Sequence, residues 1–169
     1  MKKLVLTLAI VFAGIMSVNA QGLWIGGSLN GSYQKNDIRA TVAPEIGYNF
    51  NNHWAIATGL KYQFTQTNDE IFGKVTANRF IVSPYVRYIG GTIGKKFSLF
   101  LDLEGDIDLL SPQMYAIGLH PGIAWQATDK FTAAFRFGFL GYDHLFERGN
   151  GFFLDAALST TTFGIYYNF

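Results

Sequence analysis

From about residue 23 to the C-terminus, apolar and polar positions alternate one for one, the period of an extended strand with two unlike faces. Between Ala40 and Phe50 the apolar set is Val42, Pro44, Ile46, Tyr48 and Phe50, opposed by Thr41, Ala43, Glu45, Gly47 and Asn49. After Asn51-Asn52-His53 the alternation restarts with Trp54, Ile56, Thr58, Leu60, Tyr62 and Phe64 against Ala55, Ala57, Gly59, Lys61 and Gln63, which predicts a hairpin. A loop is predicted at Asn68, Asp69 and Glu70. Phe80, Val82, Pro84, Val86 and Tyr88 then alternate with Arg79, Ile81, Ser83, Tyr85 and Arg87, and Gly90 to Lys96 reads as a turn.

The clearest strand follows, with Phe97, Leu99, Leu101 and Leu103 against Ser98, Phe100, Asp102 and Glu104, and with Asp106 and Asp108 continuing the polar side. Past Ser111-Pro112, Tyr115, Ile117, Leu119, Pro121, Ile123 and Trp125 oppose Ala116, Gly118, His120, Gly122 and Ala124. Ala127 to Lys130 turns the chain into Phe131, Ala133, Phe135, Phe137 and Phe139, with Thr132, Ala134, Arg136 and Gly138 opposite. A polar loop is predicted from Asp143 to Gly151. The last strand carries Phe163, Ile165, Tyr167 and Phe169. With a weaker first strand from about Leu23 to Tyr33, in which Trp24 falls on the wrong parity, the chain holds eight strands.

The N-terminus is of another kind. Lys2 and Lys3, an uncharged apolar run from Leu4 to about Met16, and Ser-Val-Asn-Ala with small residues at Val18 and Ala20 read as a secretory signal peptide cleaved after Ala20. Residues 1–20 are therefore the signal and 21–169 the single folded domain. With no cysteine there is neither a disulfide nor a lipid-anchor site. No later run approaches the ~18 apolar residues of a membrane helix.

An exported, apolar-rich chain of this kind is either a soluble barrel with its apolar face inside, as in lipocalin-like folds, or a membrane barrel with that face outside. Two features favour the second. The non-apolar face is mostly Gly, Ala, Ser, Thr and Asn, too poor in Lys and Glu for a water-facing exterior. Aromatics also gather beside the short turns (Tyr48, Phe50, Trp54, Tyr88, Phe97, Trp125, Phe131, Tyr167, Phe169), the composition of an interfacial girdle. The near balance of 13 basic and 12 acidic residues marks no nucleic-acid partner.

With the apolar set outward, Glu45, Asp102, Glu104, Asp106 and Asp108 point into the lumen with Arg39, Lys61, Arg79, Arg87 and Arg136. An eight-stranded barrel is only wide enough for its side chains to fill, and buried charges must be paired. These residues are expected to form a packed polar core rather than a pore. His120 is expected to hydrogen-bond the carboxylates, and Gly47, Gly59, Gly118, Gly122 and Gly138 to make room for long arginines. The acidic ladder from Asp102 to Asp108 is spaced at roughly 6.6 Å along a strand, too far apart for chelation of a cation, so neither a metal nor a cofactor is expected. Asp143-His144 with a hydroxyl such as Ser111 is the one set that could serve a nucleophile and base, and His53 falls in a turn. No motif of a known catalytic class is present.

The C-terminal TFGIYYNF, with Gly164 and the aromatics Tyr167 and Phe169 spaced by two, resembles the sorting signal that the barrel insertion machinery reads on the final strand of Gram-negative outer-membrane barrels. With the strand number and alternation, the chain resembles the small eight-stranded outer-membrane β-barrel family typified by outer membrane protein X and the transmembrane domain of outer membrane protein A. The resemblance implies an all-β, antiparallel, up-and-down transmembrane barrel in the outer membrane, monomeric, in contact with outer-membrane lipid, and structural rather than enzymatic. A lipid-modifying outer-membrane enzyme, a small pore and a soluble periplasmic ligand-binding barrel are the alternatives.

Overall fold

A computed structural model describes residues 22–34, 37–69, 73–144, 149–156 and 161–169; the signal-peptide segment lies outside the described residues. Among the described residues all regular structure is strand: β1 (Leu23–Gln34), β2 (Asp37–Asn49), β3 (Trp54–Asp69), β4 (Gly73–Ile93), β5 (Phe97–Asp108), β6 (Tyr115–Gln126), β7 (Phe131–Arg136), β8 (Phe139–His144), β9 (Asn150–Asp155) and β10 (Thr162–Asn168). From β1 to β7 each strand pairs antiparallel with the next in sequence, β8 pairs β6 and β9, and β10 pairs β7. β10 also pairs β1, with Trp24 opposite Asn168, and β5 pairs both β4 and β6. The sheet closes on itself as an eight-stave antiparallel barrel, in which β7 with β8 form the seventh stave and β9 with β10 the eighth.

Small polar residues set the tight turns at one end. Asn51 Oδ1 accepts from the backbone N–H of His53 at 2.8 Å and of Trp54 at 2.9 Å. Thr128 Oγ1 does the same for Phe131 at 3.0 Å. Gly94, at φ +66°, supplies the left-handed residue of the β4–β5 turn. At the other end β3 and β4 run well past the predicted loop: they stay paired until Asp69 meets Gly73, so the segment read as a loop is the tip of a projecting ribbon. Strand β4 likewise continues into the segment read as a turn as far as Ile93, absorbing Gly90 in a bulge between Ile89 and Gly91, and residues 94–96 make the turn itself.

One change of parity was not foreseen. The seventh stave breaks at Gly138, whose φ of +72° is the left-handed value that disfavours a side chain. Arg136 pairs with Gly122 but Leu140 pairs with Leu119, so an extra residue enters this stave. Phe139, predicted on the apolar outer face beside Phe137, is turned into the lumen and is buried, and Leu140 takes its place outside. The polar loop predicted from Asp143 to Gly151 begins and ends in strand, since β8 runs to His144 and β9 begins at Asn150, while residues 145–148 lie outside the described residues.

The two faces are distributed as the alternation requires. Leu29, Leu60, Leu103, Ile117, Phe135 and Ile165 are all exposed, while Glu45, Arg87, Glu104, Asp108 and Arg136 are buried and Asp102 is wholly inaccessible. Apolar side chains outside and charges inside invert the arrangement of a water-soluble protein. Aromatic pairs ring the tight-turn end: Trp54 against Tyr88 at 4.8 Å, Phe131 against Tyr167 at 5.3 Å, and Tyr167 against Phe169 at 5.1 Å. A second ring, not recognised from the sequence, lies toward the loops, with Tyr62 on Phe80 at 5.2 Å and Tyr115 on Tyr142 at 6.4 Å. From Trp125 to Tyr115 along β6 the rise is about 33 Å at ~3.3 Å per residue. With a strand tilt near 40° that is about 25 Å along the barrel axis, the height of an outer-membrane apolar band.

Candidate functional site: a charged lumen

The centre of the lumen is organised around Arg136 on β7. Its Nη2 donates to Glu45 on β2 at 2.6 Å and to the Tyr166 hydroxyl at 3.0 Å, and its Nη1 to Glu104 on β5 at 2.8 Å. Its Nε is 3.5 Å from Asp102. One guanidinium thus ties two non-adjacent staves, β2 and β5, and the neighbouring β10 to its own, a task suited to its planar fork of donors. Glu45 accepts in turn from the Tyr85 hydroxyl at 2.6 Å and from Ser28.

Two further clusters flank this one. Lys61 on β3 bonds Glu104 at 2.5 Å and Asp106 at 2.8 Å, and Ser83 donates to Asp106 as well. Arg87 on β4 grips Asp102 through Nε at 2.7 Å and Nη2 at 2.8 Å, and its guanidinium stacks on Phe100 at 4.0 Å. The side-on, two-point geometry is the strong form of an Arg–carboxylate pair. Paired and hydrogen-bonded from several sides, these charges satisfy the condition under which burial is tolerated.

The remaining predicted lumenal residues lie elsewhere. Arg79 is 3.9 Å from Asp108 toward the loop end, and Asp108 also accepts from the backbone N–H of Leu110 at 2.8 Å and Ser111 at 3.1 Å, fixing the β5–β6 turn. Arg39 approaches Asp37 at 3.6 Å near the loop-end mouth, away from the central network. His120 was expected to serve the carboxylates; its Nδ1 instead bonds the carbonyl of Gly138 at 2.8 Å, with Nε2 4.0 Å from Glu104. It therefore secures the bulge first.

The glycines required a different reading. A Cβ at Gly47 would strike the Trp24 ring, at Gly118 that of Phe139, and at Gly122 that of Phe100; of the predicted set only Gly59 lies against a charged chain, Glu45. These three glycines make room for inward aromatic rings, of which Phe100 holds Arg87. Trp24, whose parity looked wrong, is inward and meets Tyr166 edge-to-face at 4.9 Å. Tyr85, Phe100 and Tyr166 were legible as lumenal from their positions among the polar residues, but not as partners of Arg87 and Arg136.

Asp143 and His144 occupy successive strand positions and so point to opposite faces. Asp143 is buried, whereas His144 stacks on outward Tyr115 at 4.9 Å and its Nδ1 lies 3.2 Å from the Asn150 side chain. Ser111, in the β5–β6 turn, is exposed. The His53 ring approaches the Ile89 carbonyl at 3.0 Å in its turn. Among the described residues no group of three or more acidic or histidine side chains is gathered as metal ligands would be. Gly164 contributes by lacking a side chain where the Tyr166 ring crosses it, while Tyr167 and Phe169 face outward with Ile165.

At the tight-turn end the lumen opens into a cavity of about 540 Å³, floored by Trp24, Arg87, Phe100 and Tyr166 and rimmed by side-chain amides.

No protein-family model matches the chain, and no curated protein matches it either. Among solved structures, a NanC porin in a rhombohedral crystal form is similar at 10% identity, with a TM-score of 0.28, over 87% of this chain and 98% of the porin. A likeness of that degree carries no argument about this chain, and the reading of its function rests on the barrel itself.

Proposed function

We propose that the chain is an integral, non-enzymatic outer-membrane barrel, exported through its signal peptide, whose charge-filled lumen makes it a structural or surface-presenting element of the envelope. The observation that carries this reading is the inverted barrel: a band of exposed Leu, Ile, Val and Phe around the waist, bounded by aromatic rings, over a core of buried ion pairs. Exposed apolar area on this scale marks an interaction surface, and lipid is the partner that covers a barrel evenly on all sides. The polar lumen disfavours a soluble carrier of apolar ligands, which needs the opposite arrangement. The outward aromatics Tyr167 and Phe169 at the end of β10 suit recognition by the insertion machinery, and the tight turns then face the periplasm.

Fractionation tests the reading. The parent chain should remain with outer membranes through carbonate washing and leave only with detergent. The Tyr167→Ser, Phe169→Ser double variant should accumulate as protease-sensitive periplasmic chains. Recovery of the parent in the soluble periplasm would overturn the membrane assignment; equal insertion of variant and parent would remove the terminal signal from it.

A further inference from the structure

The cavity at the tight-turn end is more than the open mouth of a barrel. Its volume of about 540 Å³ falls within the ~300–1,000 Å³ range of small-ligand sites. It is also a blind pocket, because the Arg87–Asp102 pair and the Phe100 ring close its inner end. Arg87 is nine-tenths buried and held on two sides, by Asp102 in its plane and by Phe100 against its face. Asp102 occupies Nε and Nη2, and no acceptor among the described residues takes the N–H groups of Nη1. They belong to a side chain that lines the pocket floor. Fixed donors at the base of a concave site are what a ligand oxygen needs, since their ordering cost has already been met.

Charge narrows the ligand class. In the network behind the floor, Lys61, Arg87 and Arg136 face Glu45, Asp102, Glu104 and Asp106, three bases against four acids. Asp129 adds another acid at the rim. An anion would enter against this balance, and a cation would meet Arg87. A neutral molecule with acceptor oxygens meets neither penalty. The rest of the lining suits such a molecule: Asn49 and Gln126 offer both donors and acceptors, Asn168, whose Nδ2 donates to Lys130 and Thr132, offers its amide oxygen, and Trp24 and Tyr166 supply aromatic wall. We infer that the tight-turn cavity is a binding site for a neutral saccharide of one or two rings, with ring hydroxyl or acetamido oxygens accepting from Arg87 and polar edges meeting the amide rim. On the proposed orientation it opens to the periplasm.

The test uses the full mature barrel refolded in a zwitterionic detergent without sugar headgroups, titrated with N-acetylglucosamine and its β-1,4 disaccharide. The chain has three tryptophans, of which only Trp24 lines the cavity, whereas Trp54 and Trp125 lie on the outer face. Saccharide should move the Trp24 indole N–H resonance saturably, with Kd of about 1 to 10 mM, and leave the other two in place. Ser98→Phe, which fills the cavity from β5, should abolish the response in a barrel that keeps its heat-modifiable mobility. Gln126→Leu, at the exposed rim, should weaken it about fivefold, the scale of one lost hydrogen bond, and keeps the test open if Ser98→Phe does not fold. Absence of a saturable Trp24 shift, equal movement of all three tryptophans, or a response to acetate or N-acetylalaninamide in place of saccharide would each overturn the inference. Because binding is read on refolded barrel and location by fractionation, failure of one is distinguishable from failure of the other.

Discussion

Arg136 shows how much a single side chain can carry in so narrow a lumen. Its guanidinium meets Glu45, Glu104 and the Tyr166 hydroxyl at 3.0 Å or less, so removing it leaves buried Glu45 with hydroxyl donors but without its cation and Glu104 with Lys61 alone. Breaking a buried pair by losing one partner typically costs about 3 to 5 kcal/mol. Arg136→Ala should therefore destabilise the refolded barrel by an amount in that range, read as a lower urea midpoint and unfolding temperature. Arg136→Lys should recover only part of the loss, because an ammonium cannot present a planar fork to two acids. An unchanged midpoint for Arg136→Ala would mean that the network adds nothing to stability. On the opposite face, Leu101 is exposed in the middle of the apolar band. Leu101→Arg should cost about 2 to 4 kcal/mol in lipid, whereas Asn68→Arg, at the end of the β3–β4 ribbon, should be nearly silent. Measuring both by urea unfolding in vesicles checks the face assignment directly.

At the scale of the element, the seventh stave depends on Gly138. Its left-handed φ of +72° admits the extra residue that turns Phe139 inward, and a Cβ there would lie 3.0 Å from the carbonyl of Asp155. A non-glycine residue in that conformation costs roughly 1 to 2 kcal/mol. Gly138→Val should exceed that range, since a branched side chain meets both the backbone strain and the contact. Gly91→Ala, where an added Cβ meets nothing within 4 Å, should be neutral within about 0.5 kcal/mol. Circular dichroism against urea distinguishes the two; equal stability of both variants would show that the bulge is not needed to seat Phe139. The bulge was hidden in the sequence because Phe135, Phe137 and Phe139 keep unbroken period-two spacing. A glycine on the polar side of such a run is as compatible with a straight strand as with a kinked one.

For the molecule as a whole, the interlocked charges decide whether the barrel conducts. The central cluster joins acids and bases from β2, β3, β4, β5 and β7 across the lumen, and an eight-stave barrel leaves little room beside it. Purified barrel in a planar bilayer should show no stable unitary current, and Arg136→Ala should lose stability without gaining one. Steady ion-selective steps from the parent protein would mean a hydrated lumen and would replace a structural role with that of a small pore. The strands and the grouping of the acids and most bases on one face were legible in the alternation, closure was expected from the strand number and the family resemblance, and the outward apolar face from composition and the aromatic girdle. Period two fixes which residues share a face, and the scarcity of Lys and Glu on the polar face, with the aromatics beside the tight turns, favoured the apolar face as the outer one. What the sequence alone left undecided was pairing across the lumen. Arg87 chooses Asp102 as its neighbour on the adjacent stave, opposite it in register, but Arg136 reaches Glu45 from 91 positions away in the chain. Which acid meets which base, and that glycines face aromatic rings rather than arginines, follows from strand stagger and closure. Only the tertiary structure sets these, because they depend on the register summed around the whole barrel and no local segment contains it.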